Sequence, residues 1–352
     1  MNNPLRDTNI QSVTDIPTPR ELETELPASP KLQRAIVRFR EEVGDILSGT
    51  DGRLLAIVGP CSIHDTKAGL EYAQRLASLA RELDDELRIV MRVYFEKPRS
   101  MVGWKGLISD PDMNGTFDVE KGLRLARRFL LDVASLGLPA GTEVLDPILP
   151  QYFLDLVSWA VIGVRTSESQ IHREIASGLS MPVGFKNATD GTLDSPISAM
   201  KLCQRPQHFL GATEDGSFAV FETNGNEHPH LVLRGHPTPN YGSRHIARTE
   251  EALRAAKLPL RIIVDCSHGN SEGDPRRQAD VLRDVLSQIE NGNTSILGIM
   301  LESNLEWSCQ PIQANRDRMD YGVSVTDPCM DWDTTAELLR EAHDAMARVR
   351  RH

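Results

Sequence analysis

The feature that most constrains this chain is a recurrence: eight short runs rich in β-branched residues alternate with longer stretches that have amphipathic-helix spacing. The runs are Leu54–Val58, Arg88–Phe95, Ala140–Leu145, Ala160–Arg165, Pro182–Lys186, Leu231–Arg234, Arg261–Cys266 and Ile296–Glu302. Most intervals between them are rich in Leu, Ala, Arg and Glu, as in Ala68–Leu83 and Val119–Leu136. Such alternation is the pattern of βα units and a parallel sheet. Eight parallel strands with intervening helices close naturally into an α/β fold of the (β/α)8 TIM-barrel class, although an open doubly wound sheet has the same signature by count.

One interval departs from the pattern. His208–Ala212 and Ser217–Thr223 flank the turn Glu214-Asp215-Gly216 and predict an inserted β-hairpin over about 207–223. Residues 1–50 lack β-rich runs and carry Pro17, Pro19, Pro27 and Pro30, followed by a helical pattern from Lys31 to Leu47. The predicted organisation is an N-terminal arm and helix over 1–50, then a barrel over 51–352 that carries the hairpin. A chain of 352 residues that is 40% hydrophobic can bury one large core.

The formal charge of −11 argues against nucleic acid or an anionic membrane as the main partner, since either normally demands a basic face. The N-terminus MNNPLRDTNI is polar, and no run approaches the ~18 apolar residues of a membrane span. The five cysteines are an odd number without disulfide-scaffold spacing. The expectation is a soluble cytoplasmic protein with reduced thiols.

In a barrel of this kind the strand C-termini and the loops beyond them form the active face. The residues there are Cys61, Arg92, Lys97, Glu143, Arg165, Lys186, Arg234, His268, Glu302 and Asp327. Arg92, Lys97, Arg165, Lys186 and Arg234 would make a local positive well for an organophosphate that also bears a carboxylate. The alternative is that each cation pairs with a neighbouring carboxylate. Cys61, His268, Glu302 and Asp327 offer a mixed S/N/O set suited to one divalent ion, Mn2+, Fe2+, Co2+ or Zn2+. Taken singly, Cys61 reads as a small buried hydrophobe and His268 as a surface or capping residue. Only barrel closure makes a ligand set of them.

Longer motifs then carry a resemblance: GPCSIHD (59–65), MRVYFEKPRS with VGWKGLISDP (91–111), GVRTSESQIHREIASGLSMPVGFKN (163–187), LRG (233–235), VDCSHGNS (264–271) and YGVSVTDPC (321–329). Together they resemble the first-class 3-deoxy-D-arabino-heptulosonate-7-phosphate (DAHP) synthases, feedback-regulated enzymes of the shikimate pathway. The resemblance implies condensation of phosphoenolpyruvate with erythrose 4-phosphate. It implies Cys61, His268, Glu302 and Asp327 as metal ligands, and Arg92, Lys97, Glu143, Gly163, Arg165, Lys186 and Arg234 around phosphoenolpyruvate. Arg99 and Ser100 would hold the aldose phosphate. Lys97 is the candidate proton donor, and Glu143 would position the water. Ser100-Met101 stands where Thr-Thr is common, and Ala188 and His236 stand where glycine is usual. Alanine at position 188 would be strained if its φ were positive.

The resemblance also implies an aromatic amino-acid effector. Pro150, Gln151, Gly178, Leu179, Ser180, Phe209, Gly211 and Phe221 would surround it, and Asp7 and Ile10 would come from a neighbouring subunit. Glycine at position 211 leaves room for a phenolic hydroxyl, which favours tyrosine. A reaching arm implies a homodimer or homotetramer. The rival readings are a sibling condensation on a longer aldose and a noncatalytic amino-acid sensor.

Overall fold

Parallel strands inside a barrel are covered on both faces, by the lumen within and the helices without, and so carry apolar residues at nearly every position. The computed structural model, which describes residues 5–98, 103–236 and 238–350, has this arrangement. The strands are β1 (Leu54–Gly59), β2 (Leu87–Arg92), β3 (Ala140–Glu143), β4 (Trp159–Ile162), β5 (Val183–Lys186), β6 (His208–Ala212), β7 (Phe218–Glu222), β8 (Pro229–Leu233), β9 (Ile262–Asp265) and β10 (Ile296–Glu302). All but β6 and β7 pair in parallel around a closed ring, β1-β2-β3-β4-β5-β8-β9-β10 and back to β1. β6 and β7 form the separate antiparallel hairpin. Closure excludes the open doubly wound sheet.

The helices are α1 (Pro19–Glu25), α2 (Pro30–Ser48), α3 (Thr66–Glu82), α4 (Val119–Ser135), α5 (Gln170–Gly178), α6 (Asp194–Cys203), α7 (Ser243–Ala255), α8 (Gln278–Glu290) and α9 (Trp332–Arg350). The two-residue period of a strand sorts its side chains between two cores. Leu54, Ala56 and Val58 of β1 join the helix layer, whereas Leu55 and Ile57 join Val90, Trp159, Val161, Val232, Ile263 and Met300 in the lumen. α2 plugs the N-terminal end of the barrel with Val43, Ile46 and Leu47. It seats closely because a Cβ on Gly44 would lie 3.1 Å from His228 Nε2.

Sequence reading missed α1. Its signal was present: Thr18 and Glu21 form a capping box, and Pro19 occupies the first turn. Three predicted runs also overshoot by two residues or more, because Val93, Tyr94 and Phe95 remain buried after β2 ends, Val144 after β3 ends and Gly163 after β4 ends. α1 holds the hairpin turn: Arg20 N–H donates to the Glu214 carbonyl at 2.9 Å, and its guanidinium pairs with Asp215 and with Glu214 at 3.1 Å.

Candidate active site

At the C-terminal mouth of the barrel lies a cavity of about 810 Å³, lined among others by Lys97, Glu143, Gly163, Arg165, Lys186, Arg234, His268, Glu302 and Asp327. Cys61 and Arg92 are fully buried and do not line it. Arg99 and Ser100 lie outside the described residues.

One sulfur and two carboxylates converge here. Cys61 Sγ and oxygens of Glu302 and Asp327 lie within 4.8 Å of one another. His268 is outside that trio but adjoins it, its Nε2 3.5 Å from Glu302 Oε1. The Cys61 thiol donates to Asp327 Oδ2 at 3.2 Å, and Lys97 Nζ lies 2.9 Å from Cys61 Sγ. Burial, then the Glu302 carboxylate, push the Cys61 thiol up to about 12. Burial opposes the charge of Lys97, but Cys61 and the Asp327 and Glu302 carboxylates outweigh it and hold the ammonium above its ordinary range. This donor set suits a borderline divalent cation, whose binding would displace the thiol proton.

A second layer orients the first. Asp265, fully buried, takes His268 Nδ1 at 2.8 Å and Lys186 Nζ at 3.0 Å. Burial alone would raise this carboxyl, yet His268 and Lys186 hold it well below the usual carboxylate range. His268 itself sits at φ 55°, an uncommon conformation outside glycine that clusters at functional sites. Three asparagines join the loops: Asn187 Oδ1 accepts from Arg234 N at 2.8 Å, Asn240 Oδ1 from Gly235 N at 2.8 Å, and Asn270 Oδ1 from Asn240 N at 2.8 Å. Asp265, Asn187, Asn240 and Asn270 were not singled out from the sequence, although the first and last lie inside the VDCSHGNS motif.

The five cations separate by environment. Arg92 donates to Glu302 Oε1 at 2.8 Å beneath the cavity, Lys186 pairs with Asp265, and Lys97 lies 3.7 Å from Asp327. For these three the expected carboxylate pairing is present. Among the described residues no carboxylate lies within 4.0 Å of the Arg165 or Arg234 guanidinium. Glu143 packs closely on Gly163: a Cβ there would stand 2.0 Å from Glu143 Oε1, so a side chain at this position would require the Glu143 carboxylate to move. Nearby, burial and then Asp146 push Glu96 up to about 8. Ala188 is not among the described residues with positive φ, so the expected strain is absent there; His236, at φ 130°, bears it instead.

The sequence profile of the DAHP synthetase I family matches residues 25–340. The chain belongs to the DAHP synthetase I family. It is 50% identical over 339 residues to the Tyr-sensitive phospho-2-dehydro-3-deoxyheptonate aldolase of Escherichia coli K12, covering 96% of this chain and 95% of that protein. It is 47% identical over 346 residues to the Phe-sensitive form from the same strain, covering 98% and 99%. A solved phospho-2-dehydro-3-deoxyheptonate aldolase from Francisella tularensis SCHU S4 superposes with a TM-score of 0.94 at 42% identity, covering 97% of this chain and 99% of the other.

This DAHP synthetase I family member brings several of the expected effector positions together on one face of the hairpin. Phe209 and Phe221 stack with centroids 5.3 Å apart at 10°. A Cβ on Gly211 would lie 3.0 Å from Phe221 and 3.3 Å from Phe209, so the two rings fill the space expected for a phenolic hydroxyl. Gly178, at the end of α5, faces this hairpin through Thr223 and Phe209, and Leu179 and Ser180 follow it. Pro150 and Gln151 lie on a short 3-10 turn that packs against α1. Asp7 and Ile10 are exposed. No helix among the described residues is long and apolar enough to cross a membrane.

Proposed function

We propose that this protein is a DAHP synthase that joins phosphoenolpyruvate to erythrose 4-phosphate, with water, and releases phosphate. The observation that carries this reading is the juxtaposition, at one barrel-mouth cavity, of two guanidiniums that lack carboxylate partners among the described residues with a sulfur–carboxylate trio whose carboxylates line the cavity and whose sulfur is buried beside it. The first suits an anion and the second a divalent cation.

Cys61, His268, Glu302 and Asp327 would hold one divalent cation, Mn2+, Fe2+, Co2+ or Zn2+. When bound, it supplies Lewis-acid polarisation of the aldehyde oxygen. Arg165, Lys186 and Arg234 bind the phosphate and carboxylate of phosphoenolpyruvate and orient its methylene carbon toward the aldehyde; Arg92 acts through Glu302 from below. Carbon–carbon bond formation leaves a cation-like centre at C2, to which water adds, and phosphate departs by carbon–oxygen cleavage. Lys97, held as an ammonium, donates a proton to the nascent alkoxide. Glu143, packed on Gly163, positions the water. Arg99 and Ser100 take the aldose phosphate. The cations stabilise the departing phosphate.

We further propose that residues 1–50 and the hairpin over about 207–223 form a feedback unit serving the catalytic barrel over 51–352, in a cytoplasmic homodimer or homotetramer. Its effector is tyrosine, bound near Gly211, with Asp7 and Ile10 supplied by the partner subunit. The grip of Arg20 on the hairpin turn supports the coupling of arm and hairpin.

Phosphate release from both substrates, measured after chelation and after addition of each metal in turn, tests the reaction. Activity is expected to vanish on chelation and return with metal. Release with arabinose 5-phosphate but not erythrose 4-phosphate would favour the sibling condensation, and no release with any metal would favour the sensor.

A further inference from the structure

His236 holds φ 130° at the rim of the cavity, a conformation that favours glycine. A side chain persists at such an angle only where its surroundings impose it, and residues of this kind gather at functional sites. Here the surroundings include a bond between the loops that follow the neighbouring strands β5 and β8, with imidazole Nδ1 2.5 Å from the Thr189 carbonyl oxygen. The acceptor is a carbonyl, so Nδ1 carries the hydrogen and Nε2 of the neutral ring does not.

The two ends of this bond belong to the loops of two cavity cations. Thr189 lies in a turn that begins just after Lys186, closed by Ala188 N–H to the Thr192 carbonyl at 3.1 Å and Gly191 N–H to the Ala188 carbonyl at 3.0 Å. His236 stands two residues beyond Arg234. Asn187 already joins these loops in the buried layer, and His236 joins them at the exposed rim.

We propose that His236 is a positioning residue, a clamp that fixes the Lys186 loop against the Arg234 loop so that both cations converge on the phosphate ester of phosphoenolpyruvate. This rests on the reaction proposed above. With the clamp in place the turn at Thr189 is ordered before the ligand arrives. Without it the ligand must order that turn on binding, and the loss appears in affinity.

The test uses three full-length, manganese-loaded proteins: the parent, H236G and H236N. Calorimetry with phosphoenolpyruvate alone gives Kd, and phosphate release gives KM and kcat for each substrate. For H236G, Kd and KM for phosphoenolpyruvate should rise about fivefold, the worth of one neutral hydrogen bond, with kcat moving less than KM. H236N tolerates positive φ better than most side chains and its amide N–H can donate to the Thr189 carbonyl, so it should recover most of the affinity. Parent-like phosphoenolpyruvate binding by H236G would overturn the clamp, as would a loss confined to kcat or an equal loss in H236N. A parent that binds phosphoenolpyruvate but releases no phosphate from the substrate pair would strike the proposed reaction instead, leaving the binding comparison to judge His236.

Discussion

His268 Nδ1 lies 2.8 Å from Asp265 Oδ2, and the same oxygen takes Lys186 Nζ at 3.0 Å. One buried carboxylate thus aims an imidazole at the Glu302 side of the sulfur–carboxylate trio and anchors a cation that lines the cavity. Replacing Asp265 by Asn removes the charge that holds the imidazole tautomer and orientation. Metal affinity is expected to fall about 10–100-fold, read by competition against a chelator. Lys186 would also be left as a buried charge without its counter-ion, costing about 3–5 kcal/mol and lowering Tm. Parent-like metal retention in D265N would remove Asp265 from this role.

The sequence made the barrel legible because its strands are apolar on both faces, a signal that survives without knowledge of register. It did not show that Arg92 turns under the cavity toward Glu302, because burial depends on which strand ends meet. Asp265 was hidden for a similar reason: it ends β9 as an ordinary strand-end acid, and its importance comes from Lys186 on β5 and His268 beyond β9. Asn187, Asn240 and Asn270 matter through mutual bonds across three loops, which no local pattern encodes. The α1 helix is a different case, since the Thr18–Glu21 capping box was readable but a seven-residue helix gives little periodicity.

Arg234 has no carboxylate within 4.0 Å among the described residues, so its guanidinium is available to a ligand. Arg234→Lys keeps the charge but loses the planar fork that engages phosphate bidentately. Hydrogen bonds to charged groups contribute about 1.5–3 kcal/mol, so KM for phosphoenolpyruvate should rise roughly tenfold or more. Steady-state kinetics with each substrate varied in turn would show it. If the rise falls on erythrose 4-phosphate instead, Arg234 serves the other substrate.

At the opposite end of the barrel, Trp159 Nε1 donates to His230 Nε2 at 2.9 Å, and His230 Nδ1 lies 3.0 Å from the His228 carbonyl. Burial pushes the His230 imidazole down from 6.5 to about 3. The folded state therefore prefers the neutral ring, while the unfolded chain takes up a proton near the ordinary value. This stabilisation is complete above about pH 6.5 and is lost as pH falls from there toward 3, by on the order of 1.4 kcal/mol per unit. Gln at position 230 can accept from Trp159 but does not titrate. Between about pH 7 and pH 4.5, the Tm of H230Q should fall less steeply than that of the parent. Burial also lowers His228, which leaves H230Q a residual slope. Parallel Tm curves would mean that another group governs acid sensitivity.

The stacked Phe209 and Phe221 rings lie directly over Gly211, where an added Cβ would come within 3.0 Å of Phe221. An aromatic effector entering this face must displace or slide along a pair worth about 0.5–1.5 kcal/mol beyond its buried area. A glycine beside the rings gives Phe221 somewhere to go, and a serine would take that space. In the parent, tyrosine is expected to inhibit at lower concentration than phenylalanine. In Gly211→Ser, tyrosine inhibition should weaken by about tenfold, the effect of a clash of roughly 1–2 kcal/mol in a packed site. Uninhibited kcat should change far less, since the hairpin lies outside the barrel ring. Side-by-side titration of both amino acids on both proteins checks this. Stronger inhibition of the parent by phenylalanine would overturn the choice of effector, and an unchanged tyrosine response in G211S would move the effector site away from this hairpin.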